Sequence, residues 1–146
     1  MERFFVRGLA VVGVLYFAQV LLSNIIVPII YDSGTFFELF SDPFWAALTL
    51  ITLLIGFLGV IGSIKLFKYN QHGIFLVLLA IFIDVLLTSL DLLFFNANPA
   101  AVNELSRNKL FFPLYFLQLG ILITIFSYLL VRRKIIAEMN NPSLIN

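Results

Sequence analysis

The chain has 146 residues, of which 62% are hydrophobic and 12% are charged, against roughly 45–50% and about 25% in average soluble domains. A chain this short has too much surface for its volume to keep so much apolar area away from water, so lipid must surround most of it and a soluble enzyme is excluded. The net charge of +1, without a basic run, gives no electrostatic attraction to nucleic acid, and the lack of cysteine excludes disulfides and thiolate metal sites.

Four stretches of the chain are long and apolar enough to cross a bilayer core, which needs roughly 20 residues as an α-helix. They are Gly8–Ile30, Phe44–Ile64, Gly73–Phe95 and Leu110–Val131, and only the third contains charged residues, which are two aspartates. We therefore predict an all-α integral membrane protein, a bundle of four transmembrane helices with the lipid bilayer as its surroundings.

The connections complete a predicted single membrane domain over residues 1–146. Segments 31–43 and 96–109 contain aromatic residues or proline, and we expect both to lie at the outer membrane interface. The turn 65–72 is short enough to force the second and third spans into an antiparallel hairpin, and the tail 132–146 follows the last span.

The basic residues indicate the orientation. Seven of the nine lysines and arginines lie before the first span, in the turn 65–72 or in the tail 132–146, so these three pieces and both termini are predicted to be cytoplasmic. Short loops without a usable N-x-S/T acceptor are typical of a bacterial plasma membrane, which is the predicted location.

Two acidic residues lie inside the third span. Asp84 is at its midpoint and Asp91 follows seven residues later, with Thr88 between them, so all three fall within a narrow arc at 100° per residue. An ionised aspartate at the centre of a span costs about 2.5–3.5 kcal/mol, and no lysine or arginine lies inside a span to pair with it. Asp84 is therefore either protonated or held by hydroxyls, amides, water, a cation or a partner subunit.

Polar residues on other spans could supply such contacts. On the first span, Tyr16, Gln19 and Ser23 share one face, and Gln19 lies at the depth of Asp84. On the fourth span, Tyr115 and Gln118 share a face in the outer half, level with Asp91. We predict an intramembrane polar stripe that either fixes the helices by hydrogen bonds or carries protons or cations. Its members are Asp84, Thr88, Asp91, Gln19, Ser23, Tyr115 and Gln118.

The second span carries small residues on nearly every turn. Small faces allow helices to approach closely in lipid, so we predict that these residues pack helices and take no part in chemistry. They are Thr52, Gly56, Gly59, Gly62 and Ser63.

The sequence predicts no catalytic, cofactor or metal site. It lacks the HExxH, GxSxG and P-loop motifs, and its single histidine, His72, lies at the edge of a span. Asp84 and Asp91 are about 10 Å apart along one helix, which is too far for them to share a proton as an aspartyl protease pair does. We therefore expect a protein that is not an enzyme.

Two functions fit these features. The first is a small non-enzymatic membrane subunit that packs into and supports a larger membrane protein complex, with other membrane subunits or itself as partners. The alternative is a small homo-oligomeric transporter or channel, coupled to protons or cations, that uses the aspartates of the third span. An enzyme that acts on lipid or quinone is a third option, for which no pocket is evident from the sequence.

Overall fold

A computed structural model describes residues 2–23, 43–97 and 111–139, and within these ranges all regular structure is helical. The side chains of residues 45, 91–97, 111–112, 114–115 and 137 lie outside this description. The four helices are α1 (Glu2–Leu21), α2 (Pro43–Phe67), α3 (Gln71–Ala97) and α4 (Phe111–Glu138). The predicted all-α class is confirmed for this part of the chain.

Helices α1, α2 and α3 are each long and apolar enough to cross a membrane, as judged by length and composition. Helix α4 is not among these candidate spans over its described residues, and its last two turns carry charged side chains. These are Arg132, Arg133, Lys134 and Glu138. A four-span bundle with both termini on the cytoplasmic side therefore stays a prediction.

The helices continue beyond the apolar stretches that predicted them. Helix α1 begins six residues before Gly8, and α4 runs seven residues beyond Val131. Arginine, lysine and glutamate are good helix formers, so an apolar stretch marks the part of a helix that lipid can cover and not the helix ends. The predicted boundaries are therefore those of hydrophobic segments, and the helices themselves are longer.

The predicted outer segments fall largely outside the described residues. Only Pro43 of segment 31–43 and residues 96–97 of segment 96–109 are described, and these belong to helix ends. Pro43 is the first residue of α2, where proline is well tolerated because the first N–H groups of a helix have no partner within it. Residues 140–146 of the predicted tail also lie outside the described part of the chain.

The helices pack in chain order and alternate in direction. Helix α2 lies between α1 and α3, and α4 packs against α3. Across the first interface, Gly13 faces Ser63 and Phe17 faces Gly59, so position numbers rise on α1 as they fall on α2. The result is an up-down-up-down arrangement of neighbours, as in simple helix bundles.

One stripe on each helix is buried, and much of the remaining surface is apolar and exposed. The buried residues recur at spacings that keep them on one helix face. They include Val6, Ala10 and Phe17 on α1, Ile55, Ser63 and Leu66 on α2, Ile74, Val77, Ile81 and Thr88 on α3, and Leu122, Leu129 and Ile136 on α4. Large side chains such as Phe57, Phe82 and Phe116 are exposed on the outside, as expected of helices that face lipid.

The turn Lys68–Asn70 joins α2 to α3 through local hydrogen bonds. The Asn70 N–H donates to the Lys65 carbonyl, five residues earlier, at 3.1 Å, and the Tyr69 N–H donates to the Leu66 carbonyl at 2.8 Å. These are the two hydrogen bonds of a Schellman motif at a helix C-terminus. Tyr69 adopts the left-handed conformation that this motif requires, with φ of 56°. Asn70 then caps α3, because its Oδ1 accepts the His72 N–H at 2.8 Å.

The start of α1, the α2–α3 turn and the end of α4 lie together, and we call this the basic end. The Tyr69 hydroxyl donates to the Arg3 carbonyl at 3.2 Å, and the Arg7 guanidinium lies 5.4 Å from the centre of the Tyr69 ring. On α4, Arg132 lies 3.5 Å from Glu2 of α1. This ion pair is about half exposed and contributes little to stability, but it fixes which helix ends are neighbours.

Candidate functional site: an intramembrane hydrogen-bond chain

Three helices meet at Asp84 through two hydrogen bonds. The Tyr16 hydroxyl on α1 donates to Asp84 Oδ2 on α3 at 2.6 Å. The Gln118 side-chain amide on α4 donates to the same tyrosine hydroxyl at 2.9 Å. We call these three side chains the polar chain. Because each bond joins residues of different helices, the polar chain ties α1, α3 and α4 to one another.

The buried stripes explain why these side chains point inward. Asp84 lies three residues after Ile81 and four before Thr88, both of which are buried on α3. Gln118 lies four residues before the buried Leu122 on α4. A polar group in such a stripe has no access to water within a bilayer, so other side chains must form its hydrogen bonds.

The geometry compensates for the burial of a carboxyl group. A distance of 2.6 Å lies within the usual range for a hydroxyl that donates to a carboxylate. Polar contacts between membrane helices stabilise a bundle by about 0.6–2 kcal/mol each. The two bonds of the polar chain therefore offset part of the free energy that is required to place Asp84 inside the bundle.

The structure brings together two members of the predicted polar stripe, Asp84 and Gln118. Thr88 is buried one turn further along α3, on the face of Asp84. The side chains of Asp91 and Tyr115 lie outside the described residues. The structure joins α1, α3 and α4 at Asp84, whereas the sequence placed Gln118 at the level of Asp91. The extension of the stripe toward Asp91 stays a prediction.

The two members of the stripe on the first span, Gln19 and Ser23, lie apart from the polar chain. Gln19 is on the exposed side of α1, and it forms no hydrogen bond with a described residue. Ser23 is exposed, and its hydroxyl donates to the Val20 carbonyl of its own helix end at 3.2 Å. Neither residue contacts Asp84 by a hydrogen bond within the described part of the chain.

Tyr16 takes the position that the sequence assigned to Gln19. Gln19 and Asp84 each lie 11 residues after the start of their apolar stretches, which made them appear level. Measured from the helix starts, Asp84 lies 13 residues into α3, Tyr16 14 residues into α1 and Gln19 17 residues into α1. Because the basic residues before Gly8 extend α1, counting from the helix start would have favoured Tyr16.

The glycines of α2 allow close packing within this chain. A Cβ atom on Gly59 would overlap the Phe17 ring of α1, and one on Gly56 would overlap Leu21. On the opposite side, a Cβ on Gly62 would collide with the backbone of α3. Helix α2 therefore packs closely against both α1 and α3, and its glycines allow these contacts within the bundle.

The two hydroxyl residues of the small face behave differently from each other. Ser63 is fully buried against Gly13 of α1, and its Oγ has no hydrogen-bond partner among the described residues. Thr52 Oγ1 donates to the Leu48 carbonyl of its own helix at 2.9 Å. Ser63 therefore lies at a packing position, while the described bond of Thr52 is within its own helix, and neither residue belongs to the polar chain.

A cavity of about 310 Å³ lies between α1 and α4, beside the polar chain. On α1 the lining runs from Leu9 to Gln19, which is ten residues or about 15 Å of helix. It includes both partners of the Tyr16–Gln118 hydrogen bond. The lining is aliphatic apart from Phe17 and the side chains of Tyr16, Gln19 and Gln118.

The described residues contain no group of three His, Asp or Glu side chains that could hold a metal ion. The residues that line the cavity are all uncharged. Within the described part of the chain, the site therefore offers hydrogen bonding in apolar surroundings, with Asp84 behind Tyr16.

Comparison of the chain with family models, with curated proteins and with solved structures finds no match. Over the described residues the fold defines a class, an all-helical protein with three helices that are long and apolar enough to cross a membrane. Its function therefore has to be inferred from its own side chains and surfaces.

Proposed function

We propose that this protein is a small, non-enzymatic, four-helix integral membrane subunit that packs into and supports a larger membrane protein complex. The polar chain is the observation that carries this proposal. The Tyr16 hydroxyl is used as both donor and acceptor, and Asp84 accepts from it. Polar groups that are engaged between helices in this way fix helix position, which is a structural role.

The proposal includes α4 as a fourth membrane span. Arg132 meets Glu2, and Gln118 meets Tyr16, so the same 14-residue separation on both helices brings α4 alongside α1 over about 21 Å. A helix that accompanies a membrane-crossing helix over this length shares its apolar surroundings. The charged residues at the end of α4 then lie beyond the bilayer core.

The basic end is proposed to face the cytoplasm, in a bacterial plasma membrane. It gathers Arg3, Arg7, Lys65, Lys68 and the basic residues at the end of α4. Basic residues accumulate on the cytoplasmic side of membrane proteins. Both termini are accordingly inside.

The outer surface of α4 is the proposed contact for the foreign membrane subunits of the complex. Phe116, Ile123 and Val131 are exposed there, at 60%, 45% and 77%. Helix α4 packs against α3, whereas its approach to α1 leaves the cavity open. A compact unit of α1, α2 and α3 would thus present α4 to the rest of a complex.

An assembly assay with Asp84→Asn tests the structural role of the polar chain. The asparagine carbonyl can still accept the Tyr16 hydroxyl, so we expect the variant to fold and to copurify with its partner subunits from native membranes in mild detergent. Asp84→Leu is the matched control, because it loses the acceptor and should reduce the yield of the complex. A folded Asp84→Asn variant that loses its partners would contradict the proposal.

The second candidate is a small homo-oligomeric transporter or channel that is coupled to protons or cations. The position of Asp84 favours it, because Tyr16, which donates to its carboxyl group, also lines the cavity. On this hypothesis, ion flux through the reconstituted protein depends on pH, and Asp84→Asn removes that dependence. Flux that is the same in wild type and Asp84→Asn would exclude it.

A further inference from the structure

The cavity between α1 and α4 goes unused in the proposed assembly role. We propose that it binds a neutral, lipid-soluble molecule whose hydroxyl or carbonyl head lies at the polar chain and whose hydrocarbon body lies between the two helices. Quinones and long-chain alcohols share this chemistry. The inference goes beyond the proposed function, because it requires no partner subunit and includes no chemical reaction.

The size and shape of the cavity fit such a ligand. A volume of about 310 Å³ lies at the lower end of the range for small-molecule sites, and the lining covers about 15 Å of α1 from Leu9 to Gln19. Val12 and Ile121 line the cavity and are 54% and 51% exposed, so its side is open to the surroundings of the bundle. In a bilayer, a ligand would enter sideways from the lipid.

The polar end of the cavity offers unused hydrogen-bonding groups. The side-chain NH₂ group of Gln118 donates to the Tyr16 hydroxyl, and the side-chain carbonyl oxygen of Gln118 forms no hydrogen bond with a described residue. The Gln19 side chain also lines the cavity and is equally without such a bond. Amide groups without partners are costly in apolar surroundings. A hydroxyl can donate to Gln118, and a hydroxyl or carbonyl oxygen can accept from Gln19.

Charge and depth argue for a neutral head. The residues that line the cavity carry no charge, so a carboxylate or phosphate would have no cation to pair with there. Asp84 lies midway along α3, so a head at the polar chain is at the depth of the bilayer centre. Charged phospholipid heads remain at the interface because burial of charge is expensive, whereas a neutral head can lie deep.

Titration of the purified full-length protein with three probes tests the proposal, with native mass spectrometry as the readout. The probes are dodecanol, a decyl-substituted benzoquinone and dodecanoate. We expect saturable binding of one molecule of the alcohol or the quinone, and affinity for dodecanoate at least about tenfold weaker, a difference of about 1.4 kcal/mol. Equal affinity for dodecanoate and dodecanol would overturn the proposal.

Two substitutions on α4 locate the site. Ile121→Trp replaces an aliphatic side chain of the cavity lining by a large indole ring that fills part of the cavity. Ile123→Trp makes the same change at a position that is 45% exposed and outside the lining. We expect Ile121→Trp alone to reduce binding by about tenfold or more. Equal binding by both variants would overturn the proposal. The proposal would also be overturned if the wild-type protein bound none of the probes and Ile121→Trp released a foreign subunit, because a partner helix would then occupy the cavity.

Gln19→Leu tests the polar end without touching the polar chain. We expect dodecanol affinity to fall about tenfold, as for loss of a hydrogen bond in apolar surroundings, with the thermal unfolding temperature unchanged. Unchanged dodecanol affinity would contradict the assigned head position.

The lipids retained by protein from native membranes distinguish the sources. Identification by mass of a quinone, or of a long-chain alcohol or other neutral hydroxyl lipid, would support the proposal and name the source. Retention of phospholipid alone, displaced by neither neutral probe, would overturn it.

Discussion

At the residue scale, Tyr16 is the side chain on which the interior depends most. Its hydroxyl is the only atom among the described residues that bonds to both Asp84 and Gln118, so it connects helices that are far apart in the chain. Removal of that one atom would leave a carboxyl group and an amide without their partners. An unpartnered buried polar group costs more than the net contribution of a satisfied hydrogen bond.

Tyr16→Phe is expected to destabilise the protein by about 1–2 kcal/mol, because it removes both bonds of the polar chain and keeps the ring. The measurement is unfolding in mixed micelles, followed by circular dichroism. Tyr128→Phe is the matched control, since the Tyr128 ring packs on Phe5 and its hydroxyl has no hydrogen-bond partner among the described residues. Equal loss of stability in both variants would argue against the polar chain.

The sequence was sufficient to single out Asp84 and Gln118, because polar residues stand out within apolar stretches. It offered Tyr16 as one of three candidates on the first span but gave the matching depth to Gln19, for two physical reasons. Tyrosine is an ordinary residue in membrane helices, so it does not attract notice as an aspartate does. The apolar stretch indicates depth from Gly8, whereas α1 begins at Glu2, so its residues lie deeper than the stretch suggests.

At the element scale, close contact of α2 with its neighbours depends on the absence of side chains. Phe17 fills the space above Gly59, and Ser63 lies against Gly13 in the same interface. Backbones that approach this closely gain van der Waals contact, which drives helix association in lipid. The interface is therefore sensitive to the addition of even one methyl group.

Gly59→Ala is expected to destabilise the protein by about 1–3 kcal/mol, since its Cβ would overlap the Phe17 ring and force the helices apart. Gly120→Ala is the control, because the space around Gly120 on α4 is open. We expect that change to be neutral or stabilising by up to about 1 kcal/mol, as alanine favours helix. Unfolding of both variants under the same conditions is the measurement, and a neutral Gly59→Ala would contradict the described packing.

The existence of helices could be predicted from hydrophobic length, whereas their buried faces could not. Helices that are apolar on all sides show no contrast between core and surface, so the stripes through Phe17, Ile81 and Leu129 have no signature in the hydrophobic pattern. The small residues of α2 are the one usable signal for packing, and the structure places Gly56, Gly59 and Gly62 against neighbouring helices. They did not reveal which helices would face them.

At the scale of the whole molecule, the basic end indicates which segments of the chain lie on the same side of the membrane. The start of α1, the α2–α3 turn and the end of α4 are neighbours in space. If α4 is a membrane span, all three lie on the same side of the bilayer. The outer segment 31–43 then lies on the opposite side.

The chain contains no cysteine, so single cysteines can report this topology directly. In intact cells, we expect a membrane-impermeant maleimide to label Asp32→Cys but not Lys68→Cys or Arg133→Cys. The latter two should react only after the membrane is permeabilised. Labelling of Arg133→Cys in intact cells, with Lys68→Cys protected, would place the end of α4 outside and contradict the four-span topology.

The central claim is that the protein is a supporting subunit of a larger membrane complex. The most direct test is native mass spectrometry of the wild-type chain, extracted from its native membrane into nanodiscs without cross-linking. We predict a species whose mass includes at least one foreign membrane subunit in fixed stoichiometry with this chain. A homogeneous monomer or homo-oligomer, with no foreign subunit, would contradict the claim.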